Sequence, residues 1–367
     1  MNNNDSPSKI AIFVNSDMIS GAEIVLRDYL SKSKLKFALY VSSTKELVGF
    51  YQDYVSSVDV VPGKISKHKN KLISRIINTF VLFKQAYHIK KISEKNQYDL
   101  FYANSISAGI VLGIAKKIFR MKTPILTHVH DMIRQSSYRF LFKYFCSNSP
   151  IIAVSLKCKE EIINYCNIKE DNVSVAYNGI ETPSSISYTT HNPYVIGFAG
   201  GIIPRKGLFF LVHALSNLKS KKDFILKIAY NVQDDNYWNM IKPFLKDISY
   251  KKEKYSRENM HLFYKEIDIL VVPSLSDPFP TAVLEAMSFG KVVLGSNIDG
   301  IPEMIGENYL FESKNYKAIC EILLKITSFD KDDIKKIQYQ NYNFVCNNFS
   351  ISSCSDRKDF LIKAHLN

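Results

Sequence analysis

Short, continuously apolar runs alternate with stretches of helical spacing along the chain. KIAIFVN (9–15), KFALYVSS (36–43), DLFYANS (99–105), PILTHVHD (124–131), PIIAVSL (150–156) and VSVAYNG (173–179) are apolar throughout rather than at every second position. Such runs suit strands covered on both faces, and the helical stretches between them, such as GAEIVLRDYLSKS, supply the cover. ETPSSISYTTHNP (181–193) breaks the rhythm: it is rich in Ser, Thr and Pro, has no apolar period, and reads as a linker. A second series follows with YVIGFAG (194–200), FILKIAY (224–230), DISYKK (247–252), DILVVPS (268–274) and KVVLGSN (291–297) as strands. Residues 314–367 keep helical spacing. The expectation is an α/β protein of two Rossmann-like, doubly wound parallel sheets. Their spans are 1–186 and 187–345, with a helical segment 346–367 packing back on the first domain. Ligands of such sheets sit at the carboxyl ends of the strands, which points to a cleft between the domains.

Composition narrows the classes. The 367 residues are 46% hydrophobic and 23% charged, as in globular chains, which excludes a disordered or fibrous protein. Six cysteines form no CxxC pair, so a disulfide scaffold or zinc ribbon is not expected and a reducing cytoplasm fits. The polar start MNNNDSPSK lacks a signal peptide's apolar region, and no apolar run reaches membrane-spanning length. The net charge of +13 is uneven: residues 1–186 hold 25 Lys/Arg against 15 Asp/Glu, residues 187–367 hold 23 against 20. A basic first half suits an anionic partner or a solvated face.

The most informative stretch is PSLSDPFPTAVLEAMSFGKVVLGSNIDGIPEMI (273–305). DILVVPS is a strand and SLSDPFP the loop leaving its carboxyl end. Ser276 and Asp277 are N-cap types, Pro278 and Pro280 suit a first helical turn, and Gly290 closes the helix. Backbone N–H groups near Phe279, Pro280, Thr281 and Ala282, with the helix dipole, favour a phosphate. Asp277 and Glu285, eight positions apart, are too separated to share a proton. They read as acceptors for hydroxyls at two points of one ligand. In IGFAGGIIPRKGLFFLVHAL (196–215), Lys206 opens a helix, where a lysine opposes the dipole unless an anion binds.

These segments resemble the retaining glycosyltransferases of family 4, the group 1 glycosyltransferases, which have the GT-B fold of two Rossmann-like domains. Asp277 stands where that family usually has Glu, Pro280 where it often has Gly, and Gly201 where it has Arg, with Arg205 nearby as a replacement charge. Lys206 matches the family lysine that contacts the donor pyrophosphate. NSDMISGAEIVLRDYL (15–30) resembles the glycine-rich loop of the first domain, with Gly21 approaching the donor. THVHD (127–131) brings His130 to a strand end, where the family has a histidine on the donor sugar; His128 shares its face and is read as structural. The resemblance is weak over 227–262, where IAYNVQDDN lacks the usual glycines.

The resemblance implies an acceptor-binding first domain and a donor-binding second one. It implies transfer from a UDP- or GDP-linked sugar to a glycan or polyprenyl-linked acceptor; no Asp-x-Asp motif ends a strand near the cleft and no His/Cys cluster has ligand spacing, so metal-independent transfer with no cofactor is expected. Surface polysaccharide assembly, as of O-antigen or capsule, is the implied pathway class. Alternatives that stay open are a nucleotide-sugar epimerase on the same fold, a small-molecule-binding protein and a nucleic-acid-binding protein. The last lacks a reader module, and Phe140, Phe142, Tyr144 and Phe145 read as core, so nucleic acid is not expected as a partner. Finally, eight Lys/Arg and no acid lie between Asp59 and Glu94, with apolar residues at Leu72, Ile76, Phe80 and Phe83. A basic amphipathic stretch of this kind suits peripheral contact with an anionic inner membrane face.

Overall fold

A computed structural model describes residues 8–42, 45–63, 71–135, 138–186, 188, 190–218 and 223–366, with backbone alone at 71–76 and 135. The chain divides into unit 1, residues 1–179 and 351–367, and unit 2, residues 180–350. The first boundary therefore falls before the Ser/Thr/Pro stretch instead of within it. The reason is a backbone tie: the Ile180 N–H donates to the Phe349 carbonyl at 3.0 Å, and Ile180 bridges to Ser350. That tie assigns 180–186 and 346–350 to unit 2.

Unit 1 is a seven-stranded parallel sheet. Its elements run β1 (Ile10–Val14), α1 (Gly21–Leu30), β2 (Phe37–Val41), α2 (Lys45–Tyr51), β3 (Ser57–Val60), α3 (Lys71–Asn96), β4 (Leu100–Ala103), α4 (Ile106–Lys117), β5 (Ile125–Val129), α5 (Arg139–Cys146), β6 (Ile151–Ala153), α6 (Leu156–Cys166) and β7 (Val173–Val175). The order across the sheet is β3-β2-β1-β4-β5-β6-β7. β1 is buried at every position, which is why its sequence shows no alternation. β3 was not expected: SVDV is a mostly exposed edge strand, with no apolar run to announce it.

Unit 2 has six parallel strands in the order β10-β9-β8-β11-β12-β13. Its elements are β8 (Tyr194–Ala199), α7 (Leu208–Leu218), β9 (Phe224–Tyr230), α8 (Asp235–Ile241), β10 (Ser249–Lys254), α9 (Met260–Lys265), β11 (Ile269–Val272), α10 (Thr281–Ser288), β12 (Val292–Ser296), β13 (Leu310–Phe311), α11 (Tyr316–Thr327) and α12 (Lys331–Asn348). The two-residue β13 is too short to carry a pattern and was also not expected. The core gathers Ile196, Phe198, Leu211, Leu226, Ile269, Val271 and Leu294 from facing elements.

The last helix, α13 (Ile351–Lys363), returns to unit 1 and contributes Leu361 and Ile362 to its core. It is fixed by Asp359, only 3% exposed, which accepts from Tyr29 Oη at 2.6 Å, Ser33 Oγ at 2.6 Å and the Lys34 N–H at 2.9 Å. Burial first, and the Asp359 carboxylate second, keep the Tyr29 hydroxyl protonated far above the usual tyrosine range.

Two expectations change. Phe142 and Phe145 are core, but Phe140 and Tyr144 on the same helix are 72% and 63% exposed. Alternating apolar and basic letters in RFLFKYFC concealed which face each ring takes. In the basic stretch, Lys64, Lys67 and Lys69 lie outside the described residues, as do the side chains of Lys71, Leu72, Arg75 and Ile76. Farther along α3, Phe80 is 73% exposed while Leu82 and Ile89 are buried.

Replacing Asp359 by Ala leaves the Tyr29 hydroxyl and the Lys34 N–H without their acceptor. The expected cost is roughly 3 kcal/mol. Thermal unfolding of unit 1, followed by near-UV dichroism, should fall by roughly 6–12 °C.

Candidate active site

In unit 2, β8 and β11 are neighbours, so the loops leaving their carboxyl ends lie side by side. The loop after β8 turns at Gly200, φ +146°, and passes Gly201 into a 3-10 turn, Pro204–Lys206, that ends at Gly207, φ +71°. A Cβ at Gly207 would stand 1.8 Å from the Pro273 carbonyl oxygen. Glycine is required there twice, for the left-handed backbone and for the approach of chain to chain. The approach is fastened by the Leu275 N–H donating to the Arg205 carbonyl at 2.7 Å. The Arg205 guanidinium donates to the Ser276 carbonyl at 2.9 Å.

This seating delivers the Lys206 ammonium to Asp277 Oδ2 at 2.5 Å. The lysine stem runs beside Gly200, where an added Cβ would lie 3.6 Å from it. Asp277 Oδ2 also accepts from Ser274 Oγ at 3.4 Å. The opposite side of the loop is held by Asp299, at φ +48°: its Oδ2 accepts from Ser276 Oγ at 2.7 Å and from the Asp277 N–H at 2.9 Å. Sequence reasoning missed Asp299. Its signal was the Asp-Gly pair at 299–300, a dipeptide suited to positive φ.

Ser276 and Asp277 do not cap the helix. α10 starts later, with Pro280 as the residue before it and no side-chain cap. Its first N–H groups, at Thr281 and Ala282, follow a proline that itself has none. The Phe279 ring is buried, 5.8 Å from the Phe349 ring, which leaves only its backbone for a ligand. Glu285 is not a free side chain: Oε2 accepts from Tyr264 Oη at 2.7 Å and Oε1 from Arg257 at 3.3 Å. Burial, followed by Glu285, raises the Tyr264 hydroxyl well above the ordinary tyrosine range. The dipole conflict expected of Lys206 is met by Asp277, within the protein. Arg205 is committed to the Ser276 carbonyl. A Cβ on Gly201 would find only ordinary contacts, the nearest at 3.6 Å.

In unit 1, α1 opens at Gly21 behind Ser20. Glu23 Oε2 accepts from the Ser20 N–H at 2.9 Å and from Ser20 Oγ at 2.5 Å. A Cβ added to Gly21 would meet nothing within 4 Å, so the protein itself does not require glycine there. His130 leaves the carboxyl end of β5, with Nε2 3.1 Å from Asn104 Oδ1. Its ring centre is 4.0 Å from that of His128, whose Nδ1 meets Tyr102 Oη at 2.5 Å. Beneath them lies Lys358 of α13, 3% exposed, with Nζ 3.4 Å from Asn178 Oδ1. Nothing near position 358 in the sequence foretold this, because its neighbours are some 180–230 residues away. Burial lowers Lys358 to about 8. His130 keeps some exposed surface, yet burial first and Lys358 second push it down to about 3. His128 is lowered well below its usual value by burial, then by His130 and Lys358. Both histidines are neutral at physiological pH. Among the described residues, no group of three or more His, Cys, Asp or Glu is placed to hold a metal ion.

Residues 184–343 match the family model for glycosyl transferases group 1, and residues 50–183 match that for glycosyltransferase family 4. The chain belongs to these glycosyltransferases. An uncharacterized glycosyltransferase of Methanocaldococcus jannaschii is 27% identical over 283 residues, 73% of this chain and 76% of that protein. The UDP-Gal:alpha-D-GlcNAc-diphosphoundecaprenol alpha-1,3-galactosyltransferase of Escherichia coli is 23% identical over 331 residues, 80% and 83% of the two chains. Among solved structures, Anabaena HepE in complex with UDP superposes with a TM-score of 0.78 at 18% identity, covering 97% of this chain and 100% of that one. The two parallel α/β units are those of the GT-B fold.

The neutral histidines set a pH dependence for this glycosyltransferase. In the unfolded chain they protonate near pH 6.5; in the fold they resist protonation. Folded pKa values below unfolded ones mean that stability is lost as pH falls below about 6.5. The loss for fully buried His128 approaches roughly 1.4 kcal/mol per pH unit. Melting measured at pH 7.5 and pH 5 should show the drop, and a smaller drop in His128→Gln.

Proposed function

We propose that the chain is a retaining, metal-independent glycosyltransferase that takes a sugar from a UDP- or GDP-linked donor bound on unit 2. The observation that carries this reading is the Gly207–Pro273 approach. It sets the Lys206 ammonium at the carboxyl end of the sheet, next in space to the loop that opens α10. The anomeric carbon–oxygen bond to the diphosphate breaks, and negative charge grows on the leaving group. Lys206 has donors beyond the one given to Asp277, and the Thr281 and Ala282 N–H groups are uncapped; these bind the diphosphate. The acceptor hydroxyl bonds to the anomeric carbon from the face the leaving group vacates, and its proton passes to a departing phosphate oxygen. Asp277 Oδ1, which accepts no hydrogen bond among the described residues, takes a sugar hydroxyl and steadies positive charge on the ring. Glu285, oriented by Tyr264 and Arg257, accepts from the ribose hydroxyls. On unit 1, Gly21 and the neutral His130 are the groups we assign to the donor sugar and its phosphates.

The acceptor we propose is a glycan or polyprenyl-linked saccharide of surface polysaccharide assembly. The E. coli relative's diphosphoundecaprenol-linked substrate supports that class. No helix among the described residues is long and apolar enough to cross a membrane. We propose reversible docking of unit 1 on the anionic cytoplasmic face through the basic stretch 64–91. Sedimentation with phosphatidylglycerol vesicles should be strong at low salt and largely lost at 1 M, where the Debye length is about 3 Å. Vesicles left unbound at low salt would favour a soluble acceptor.

The function is tested with a panel of nucleotide sugars, scored by release of nucleoside diphosphate in the presence of lipid-linked acceptor. Interconversion of free nucleotide sugars without transfer would indicate an epimerase instead. Lys206→Ala should lower turnover about 10²–10³-fold, as for loss of one donor to the leaving group. That variant also strands the Asp277 carboxylate. Adding Asp277→Asn should recover the melting temperature, which would trace the lost stability to the stranded carboxylate, while turnover of Lys206→Ala is read well below its own melting temperature.

A further inference from the structure

An open groove of about 710 Å³ lies on unit 1, away from the candidate site residues. Its walls come from the end of α4 (Lys117), from α5 (Phe140, Lys143, Tyr144) and from the loops that precede β6 and β7 (Asn148, Lys169). It therefore sits at the amino-terminal end of those strands. Gly21, Asn104 and His130 stand at the carboxyl end of the same sheet. The groove does not belong to the site at that end.

Its lining has a consistent chemistry. Three lysines line it, and among the described residues no Asp or Glu does. Neither Lys143 nor Lys169 has a carboxylate partner among the described residues. Lys117 is anchored by the Tyr144 carbonyl, with its ammonium 4.7 Å above the Tyr144 ring, and Arg139 lies 4.9 Å from the Phe140 ring. Both rings are among the most exposed large hydrophobic side chains of the chain, in a helix whose other two phenylalanines are core. Asn148, Asn167, Asn172 and Ser147 add amide and hydroxyl groups along the rim. Cations recognise an anion, flat exposed rings stack on the C–H face of a sugar, and amides bond hydroxyls. The volume is that of a small-molecule site.

We propose that this groove binds an anionic saccharide, a sugar unit bearing a carboxylate or a phosphate, at a place separate from the transfer site. The amides favour this occupant over a bilayer, which needs cations and apolar side chains but no array of hydroxyl partners. An elongating glycan held there would be tethered to unit 1 by a unit other than the one that reacts.

The test is calorimetry on the full chain with four titrants: tetragalacturonate, glucose 1-phosphate, neutral maltotetraose and inorganic phosphate. At least one charged saccharide should bind 10-fold or more tighter than both maltotetraose and phosphate, and its binding should weaken between 0.05 and 0.5 M salt. Tyr144→Ala and the double variant Lys143→Gln/Lys169→Gln should each weaken it at least 10-fold. UDP affinity should be unchanged in both variants, which shows that unit 2 is intact. All these side chains are largely exposed, so melting temperatures should hold. The proposal is overturned if charged saccharides bind no better than phosphate or maltotetraose, or if the double variant binds them as the wild type does. It is also overturned if phosphatidylglycerol vesicles alone depend on Lys143 and Lys169, which would make the groove a lipid contact.

Discussion

The pairing of Lys206 with Asp277 depends on one approach of backbone to backbone, Gly207 against the Pro273 carbonyl. With any side chain at 207 the turn after β8 could not close on the loop after β11. The Arg205–Leu275 and Arg205–Ser276 hydrogen bonds would then separate. Lys206 would lose Asp277, leaving a carboxylate with 7% of its side chain exposed and no cation beside it. Asp299 works from the other side, pinning Ser276 and the Asp277 N–H through a single oxygen. A cation and a carboxylate are thus held together at a strand end by the protein's own contacts.

Unit 1 depends on a different device. Its polar interior, with Tyr102, His128, His130 and Asn178, is completed by Lys358, which arrives on the chain's last helix. Burial keeps both imidazoles neutral, the Lys358 ammonium beside them adds to the effect, and Asp359 on the same helix holds Tyr29, Ser33 and Lys34. The C-terminal helix is therefore part of the electrostatics of the first unit, not an appendage to it. A truncation before residue 351 would remove both the cation and the carboxylate.

The uneven charge of the chain acquires a location. Part of the basic excess of the first half lines the groove beside α5, where two aromatic rings are left in solvent. Exposed rings next to unpaired lysines are costly for a surface with no role, because they invite association. Their clustering around one concavity distinguishes them from scattered surface hydrophobes.

Architecture and family were legible in the chain alone, because strands buried on both faces leave continuous apolar runs, and because PRKG and DPFPTAVLEAMSFG are contiguous motifs. The sequence placed Lys206, Asp277 and Glu285 on the correct loops and helix. It could not show that Lys206 and Asp277 meet, since 71 residues separate them and their contact follows from the adjacency of β8 and β11. Nor could it show that Glu285 is held by Arg257 and Tyr264, or that Ser276 bonds Asp299 instead of capping a helix. Edge strands such as SVDV escaped because half-exposed residues carry no hydrophobic signal. Lys358, Asp359 and the outward turn of Phe140 and Tyr144 were decided by tertiary structure alone. A side chain's partner, unlike its periodicity, depends on which distant element the fold lays against it.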